Sequence, residues 1–541
     1  MNSRYKILLG VILTIFYLIF HIFIMNDYGI SWDFHYHNFA GLYHLGQKVP
    51  SIDDSYSIPF TPPDPRLTTL DPFGPFTQII PTLSYLIFYD LPAQVGKLPI
   101  LPFDSAYNLP SVVLGSLGIL VLFLFLYEAI NFPLAIFSSV FLALLPTHFG
   151  YLHDNMKDVP NAFVFTLSVY LFWRLTKHKR LRDLIWAILA FAFAFNVKIN
   201  SVMIPVVCLV WFLFKERKTI ITVIPNLFRN LRGAMKRIQK DYGLVILYFI
   251  LSPIAALLIW WPFWKDPIGK LLELPYFYSH NTLNMPVLLD GVIYHSGVNI
   301  PWFYPWVYIF ITTPLGVLTA FLMGIIISIT KIFKKNGIYA LLIIWLLIPL
   351  MRYFSPKVSA IDGMRHFMEV VYPLCALAGV GFYFIYETLD KLTKSKKTGR
   401  IIFGFLLITL VYNLVKFHPY QTSFYNAAIG GVKGANGKFD IDFWGAPQKD
   451  AIVWLNKNAE INSYINVVMA QSSAAMYART DFQSKINEKD WENSDYTVIL
   501  NKKSFFEVYP IQKYLSKSLS ENKLVYERTI DGVPLFWVIK N

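Results

Sequence analysis

The feature that most constrains this chain is a succession of long apolar runs whose connecting segments alternate in chemistry. The dense basic stretches Lys177–Arg182, Lys215–Lys240, Lys331–Lys335 and Lys391–Arg400 fall at one set of ends. The compact motifs rich in Asp, His and Asn fall at the other. Short loops rich in Lys and Arg stay cytoplasmic, so this pattern places Asp33, His148–Asp158 and Asp362–His366 together on the outer face. Runs of this length need about 20 apolar residues per crossing and have no place in a water-soluble core.

Eleven crossings follow from the runs Ile7–Met25, Leu109–Tyr127, Phe132–Pro146, Pro160–Leu175, Leu184–Asn196, Val202–Phe214, Leu244–Trp261, Val307–Ile329, Ile338–Phe354, His366–Ile385 and Ile401–Leu414. The N-terminus is then cytoplasmic. The first run follows Arg4 and Lys6 without a small-residue cleavage site, so it reads as a retained span. Leu184–Asn196 and Val202–Phe214 form a hairpin with its tip at Val197–Ser201. Phe76–Tyr89 is too short to cross and reads as a re-entrant or surface-lying helix.

Beyond Lys416 the apolar runs shrink to strand length: Tyr464–Met469, Tyr496–Leu500, Val525–Arg528 and Leu535–Ile539. A helix is expected at Pro447–Asn458, and Asp531-Gly532 is a turn pair suited to a hairpin. The expected architecture is thus a polytopic α-helical membrane domain, residues 1–415, with outer loops at 26–108 and 262–304. A small soluble α/β domain, 416–541, lies outside. The sequence is 55% hydrophobic and 15% charged. Its net charge of +14 sits in loops beside spans, which fits topology and anionic lipid better than nucleic acid. Cys208 and Cys375 lie inside apolar runs and suggest neither a disulfide nor a metal motif.

Three constellations carry chemistry. Trp32-Asp33-Phe34-His35-Tyr36-His37 puts a carboxylate and imidazoles just past the first span, suited to accepting a proton; a solvated loop acid is the plain alternative. His148–Pro160 packs His153, Asp154, Asn155, Lys157 and Asp158 between two spans. Pro160 suits a first helical turn, so Asp158 is also a simple N-cap candidate. Arg352, Lys357 and Asp362-Gly363-Met364-Arg365-His366 place bases outside, against the topological trend. Guanidinium grips phosphate with two donors; headgroup anchoring is the alternative. Asp33, His35, His37, His153, Asp154 and Asp158 are metal-ligand types without a metal-motif spacing. Gly430–Gly437 lacks the Gly-Lys-Ser/Thr of a P-loop and reads as turns. Trp260-Trp261 and Trp302–Trp306 suit interfacial belts.

Trp32-Asp33, Asn155–Pro160, Asp362–His366, His418-Pro419-Tyr420-Gln421, Tyr425-Asn426, Gly430-Gly431 and Asp442-Phe443-Trp444-Gly445 occur in that order along the chain. In this the sequence resembles the GT-C glycosyltransferases, specifically the protein O-mannosyltransferase and aminoarabinose transferase family (glycosyltransferase family 39) in its bacterial and archaeal branch. The resemblance implies inverting transfer of a sugar from a polyprenyl- or dolichyl-phosphate donor, at the outer face of the plasma membrane. It implies Asp33 as general base or acceptor-orienting acid, and Asp158 or Asp154 as the second acid. Arg365 would meet the donor phosphate, with Lys157, Asn155, His153, His37, Asp362, His366 and Arg352 around the substrate.

The implied partners are that donor, a protein, lipid or glycan acceptor, and membrane lipids. No cofactor is required, a divalent metal being the minor alternative. The chain departs from many relatives in having Phe34 where a Glu follows the Asp, and Asp71-Pro72-Phe73-Gly74 for a His-Pro-Pro-Leu-like element. Nothing resembles a MIR domain. The rival readings are a flippase or ligase for lipid-linked saccharides, a transporter, and a receptor. A transporter would carry its ionisable groups at mid-bilayer, not at span ends.

Overall fold

The computed structural model describes residues 3–47, 73–229, 231–264, 266–280, 284–334, 336–395, 397–482, 491 and 493–541. Asp71 and Pro72 lie outside the described residues. Eight helices among those described are long and apolar enough to cross a membrane: Ser3–Asp27, Phe103–Ala129, Ile199–Lys218, Tyr242–Ile259, Leu315–Phe333, Gly337–Phe354, Gly363–Leu392 and Thr398–Phe417. The other three expected positions hold helices Phe132–Ala143, Asp158–His178 and Leu181–Val197. At about 1.5 Å per residue, a 12-residue helix such as Phe132–Ala143 falls short of a bilayer core of about 30 Å. The count of eleven crossings is therefore not established by length and composition.

Two runs differ from their expected form. Val307–Ile329 is broken into Tyr304–Thr312 and Leu315–Phe333. Pro314 supplies no N–H and holds Thr313 extended (ψ 128°), which ends one helix and starts the next. In the other direction, helices Met203–Arg229 and Leu231–Ile259 extend well into the basic stretch expected as loop. Lys, Arg, Gln and Leu are good helix formers, and their sum over the stretch outweighs Pro225 and Gly233.

Helix Pro75–Tyr85 occupies the short apolar run of the first outer loop and packs against Phe34–His44 and Phe103–Ala129. Its buried polar residues Thr77 and Ser84 donate to the carbonyls of Val197 and Ala106. It is thus tied to the tip of the 184–214 hairpin as well as to a membrane helix.

The terminal region forms one mixed sheet of four strands, preceded in the chain by a hairpin in the second outer loop. With that hairpin as β1 (Pro286–Leu289) and β2 (Val292–His295), the sheet comprises β3 (Ile465–Val468), β4 (Tyr496–Leu500), β5 (Leu524–Ile530) and β6 (Val533–Lys540). Its order is β3-β4-β6-β5, with β3 and β4 parallel and the other pairs antiparallel. Asp531 and Gly532 join β5 to β6 with φ of 52° and 75°, the left-handed pair that a type I′ turn requires. The expected helix forms at Gln448–Asn458.

The sheet domain is moored to the membrane body. Lys449 Nζ lies 2.6 Å from the buried Asp104 carboxylate at the start of Phe103–Ala129, and Trp32 N donates to Trp444 O at 2.9 Å. Ser473 donates to Ser31 O at 3.0 Å. These contacts fix the sheet domain directly above the Trp32-Asp33 segment.

Candidate active site

Asp33 precedes the helix Phe34–His44, whose first turn closes by His37 N donating to Asp33 O at 3.2 Å. One turn of helix brings residue i+4 over residue i, so Asp33 and His37 share a face. Lys157 Nζ meets both, at 2.5 Å from Asp33 Oδ2 and 3.3 Å from His37 Nε2. An ammonium only donates, so His37 accepts through Nε2 and carries its proton on Nδ1. Arg365 Nη1 reaches the same Asp33 oxygen at 3.3 Å. The Asp33 side chain is 35% exposed, whereas those of Lys157 and Arg365 are 5% and 8%. The carboxylate therefore looks into open space while the cations behind it are buried.

Asp158 is not an N-cap. The N-cap position is Lys157, without a side-chain cap bond, and Asn155 Oδ1 closes the turn before it by accepting from Lys157 N at 3.2 Å and Asp158 N at 2.7 Å. Asn155 Nδ2 donates to Asp158 Oδ2 at 3.0 Å, and Lys198 Nζ holds the other oxygen at 2.5 Å. Lys198 sits at the tip between helix Leu181–Val197 and the turn Ile199–Val202. A single amide thus sets the direction of the helix, the rotamer of Asp158 and the backbone carrying Lys157.

Asp362 and Gly363 are both left-handed, with φ of 59° and 65°. Aspartate tolerates that region better than most residues. The resulting sharp turn points Asp362 back at Arg365, Oδ2 to Nη2 being 3.0 Å. Lys502 of the terminal domain holds the other oxygen at 2.6 Å. From the same domain, the Trp444 ring lies 4.2 Å from the Arg365 guanidinium carbon and 5.1 Å from Lys157 Nζ. Phe73 faces Lys157 at 4.6 Å. A cation over a ring keeps its charge while losing water.

The electrostatics follow from these pairings. Burial would raise Asp33, but Lys157 and then Arg365 outweigh it and hold its carboxyl below the usual range. Burial lowers Lys157, with Asp33 opposing. Burial and then the Lys157 charge push His37 down to about 3, so it is neutral. Asp154 differs: burial and then Asp442 push it up to about 8. Its Oδ1 has no hydrogen-bond partner among the described residues.

Of the residues singled out from sequence, Asp33, His37, Asn155, Lys157, Asp158, Asp362 and Arg365 form one connected cluster. His366 touches it, accepting from Arg365 Nη2 at 3.0 Å. Arg352 stands behind, paired with Glu369 at 3.1 Å and bonded to His366 O. His153 belongs elsewhere: its Nε2 is 2.7 Å from His21 Nδ1 and its ring stacks on Tyr28 at 3.8 Å. It faces the first membrane helix and not the Asp33 cavity. Asp33 and Asp158 are each occupied by a lysine, and among the described residues no three His, Cys, Asp or Glu converge on a point fit for a metal ion. The sequence reading missed Lys198 and Lys502, and it quoted Trp444 in a motif without a role at the site. For Lys198 a signal existed, a lone lysine at an outer hairpin tip against the topological trend.

None of the curated proteins matches the chain. Among solved structures, ArnT from Cupriavidus metallidurans in the apo state is similar over 98% of this chain and 97% of that one, with a TM-score of 0.49 and 14% identity. The apo oligosaccharyltransferase of Archaeoglobus fulgidus is similar over 89% of this chain and 65% of its own, with a TM-score of 0.46 and 12% identity. AglB of the same organism, in complex with an inhibitory peptide and a dolichol-phosphate, gives 94%, 68%, 0.42 and 12%. The resemblance read from the motifs is borne out by sequence: residues 104–231, which carry Asp154, Asn155, Lys157, Asp158 and Lys198, match the family model described as dolichyl-phosphate-mannose-protein mannosyltransferase.

Proposed function

We propose that this protein transfers a sugar from a polyprenyl-phosphate-linked donor to an acceptor hydroxyl at the extracytoplasmic face of the membrane. The observation that carries the reading is the Asp33 carboxylate, 35% exposed and backed by the buried Lys157 and Arg365. Four buried cations (Lys157, Lys198, Arg365 and Lys502) bond to three carboxylates (Asp33, Asp158 and Asp362), an excess suited to an anionic ligand. Arg365 Nε has no hydrogen-bond partner among the described residues, which leaves one N–H of the fork for a phosphate oxygen.

The chemistry asks for little more. The acceptor oxygen attacks the anomeric carbon as the bond to the phosphate oxygen breaks, and one direct displacement inverts that centre. The phosphate departs as an anion, stabilised by Arg365 and Lys157 already in place. The acceptor proton passes to Asp33. In the empty cavity those same cations make Asp33 a weak base; once they turn to the phosphate, Asp33 loses its counter-charges and gains basicity. Donor binding thereby readies the base.

Replacing Asp33→Asn removes the proton acceptor but keeps shape and hydrogen bonds. Transfer from a polyprenyl-phosphate sugar should fall about a thousandfold, within the range for a lost general base, with unchanged elution and melting in detergent. A well-folded Asp33→Asn protein of normal activity would refute the assignment.

A further inference from the structure

One buried carboxylate, Asp362, joins the membrane body to the terminal domain. It is shared between two cations of different origin: Arg365, three residues along the same turn, and Lys502, 140 residues away in the sheet domain. Lys502 stands at 1% side-chain exposure, donates also to Phe443 O at 3.1 Å, and lies 4.8 Å from the Phe505 ring. No solvent competes for it.

The sharing has a consequence for Arg365. A carboxylate and a guanidinium left to themselves pair fork to fork, two parallel bonds at once. Here Lys502 occupies Oδ1 at 2.6 Å, so Arg365 touches only Oδ2, at 3.0 Å. Its second arm reaches Asp33 at 3.3 Å, Nη2 also donates to His366 Nε2 at 3.0 Å, and Nε is unpartnered among the described residues. The charge balance runs the same way. Asp362 with Arg365 alone is a neutral pair, whereas Asp362 with both cations keeps one positive charge facing the cavity.

We propose that Lys502 is a positioning residue for donor binding: by taking one oxygen of Asp362 it leaves the Arg365 guanidinium available to the lipid-linked phosphate. This rests on the functional reading above, and it gives the terminal domain a part in the site. The ligand it serves is a phosphate ester on a polyprenyl chain, recognised through the phosphate. Lys502 itself does not touch that ligand; it acts through Asp362.

The test is binding of a polyprenyl monophosphate to the full-length protein in nanodiscs, with the uncharged polyprenol as control. The native protein should prefer the phosphate. Lys502→Met should weaken phosphate binding by about tenfold, a typical size for coupling between neighbouring groups, and leave polyprenol binding unchanged. Lys502→Arg should stay within about threefold of native. The decisive variant is Lys502→Met with Asp362→Asn, since asparagine keeps the left-handed turn and removes the competing charge. Binding should recover most of the loss. A mere interface staple would not show that recovery. Should Lys502→Met fail to fold, Lys502→Gln retains a hydrogen-bond donor without charge and should show the same weakening.

Unchanged phosphate binding in a folded Lys502→Met or Lys502→Gln protein overturns the inference and leaves the functional reading standing. Equal binding of phosphate and polyprenol by the native protein overturns both.

Discussion

Lys198 and Asp158 form an enclosed ion pair of the site, with side chains 9% and 2% exposed and 2.5 Å apart. Deleting one partner of such a pair strands a charge without water, which costs about 3–5 kcal/mol. Lys198→Met should lower the melting temperature of the detergent-solubilised protein accordingly. Adding Asp158→Asn should restore most of the stability but not transfer, because the Asn155–Asp158–Lys157 arrangement stays altered. Such a split between folding and activity separates a functional pair from a structural one. At this scale the sequence was partly legible. Asp33, Lys157, Asp158 and Arg365 stood in compact motifs at the span ends expected outside, where topology disfavours bases. Lys198 was hidden because the hairpin tip was placed by parity of crossings alone. Lys502 was hidden because a pairing across 140 residues leaves no local pattern.

The segment 147–160 shows how an element positions chemistry. Pro146–Tyr151 makes a short helix, the chain turns, and Asn155 holds the turn before Asp158–His178 by accepting from the N–H of Lys157 and Asp158. Asn155→Ala leaves those buried donors unpaired, a loss of about 1–3 kcal/mol. It also frees the Asp158 oxygen and the backbone carrying Lys157. Transfer should therefore fall by about tenfold or more, as misplacement of a reacting group commonly does; steady-state kinetics alongside thermal unfolding would show both. Helix existence was readable from apolar runs and their basic flanks. What local pattern did not reveal were the breaks and extensions, such as the interruption at Pro314 within one apolar run, because hydropathy is blind to a missing N–H. The plain alternative for Asp158, an N-cap, could not be decided from sequence for a related reason: Asp, Asn and Ser cap equally well by type, and only the turn geometry, which puts the cap at Lys157, selects among positions.

For the whole molecule, the coupling that matters runs between membrane body and sheet domain, and it includes acids as well as cations. Asp154 belongs to the body and Asp442 to the segment leading into the sheet; burial and then Asp442 push Asp154 up to about 8, and burial, with Asp362 adding to it, pushes Asp442 up to about 6. The folded protein thus keeps protons on these carboxyls that an unfolded chain releases near the ordinary value of 3.8. Where the native state binds more protons than the unfolded state, stability falls as pH rises. The fall should begin above about pH 4 and be complete by about pH 8, the two acids titrating as a pair. Asp33 works in the opposite sense: its lowered value contributes stability that is present above 3.8 and lost as the pH drops through its folded value. A melting temperature measured from pH 5 to pH 9 should accordingly decline toward the alkaline end. Asp154→Asn should flatten that decline, since an amide releases no proton. Proteolysis at the domain junction should increase over the same range, because both acids then carry charge while buried. An Asp154→Asn protein that loses stability with pH as steeply as the native one would mean that this pair does not govern the junction.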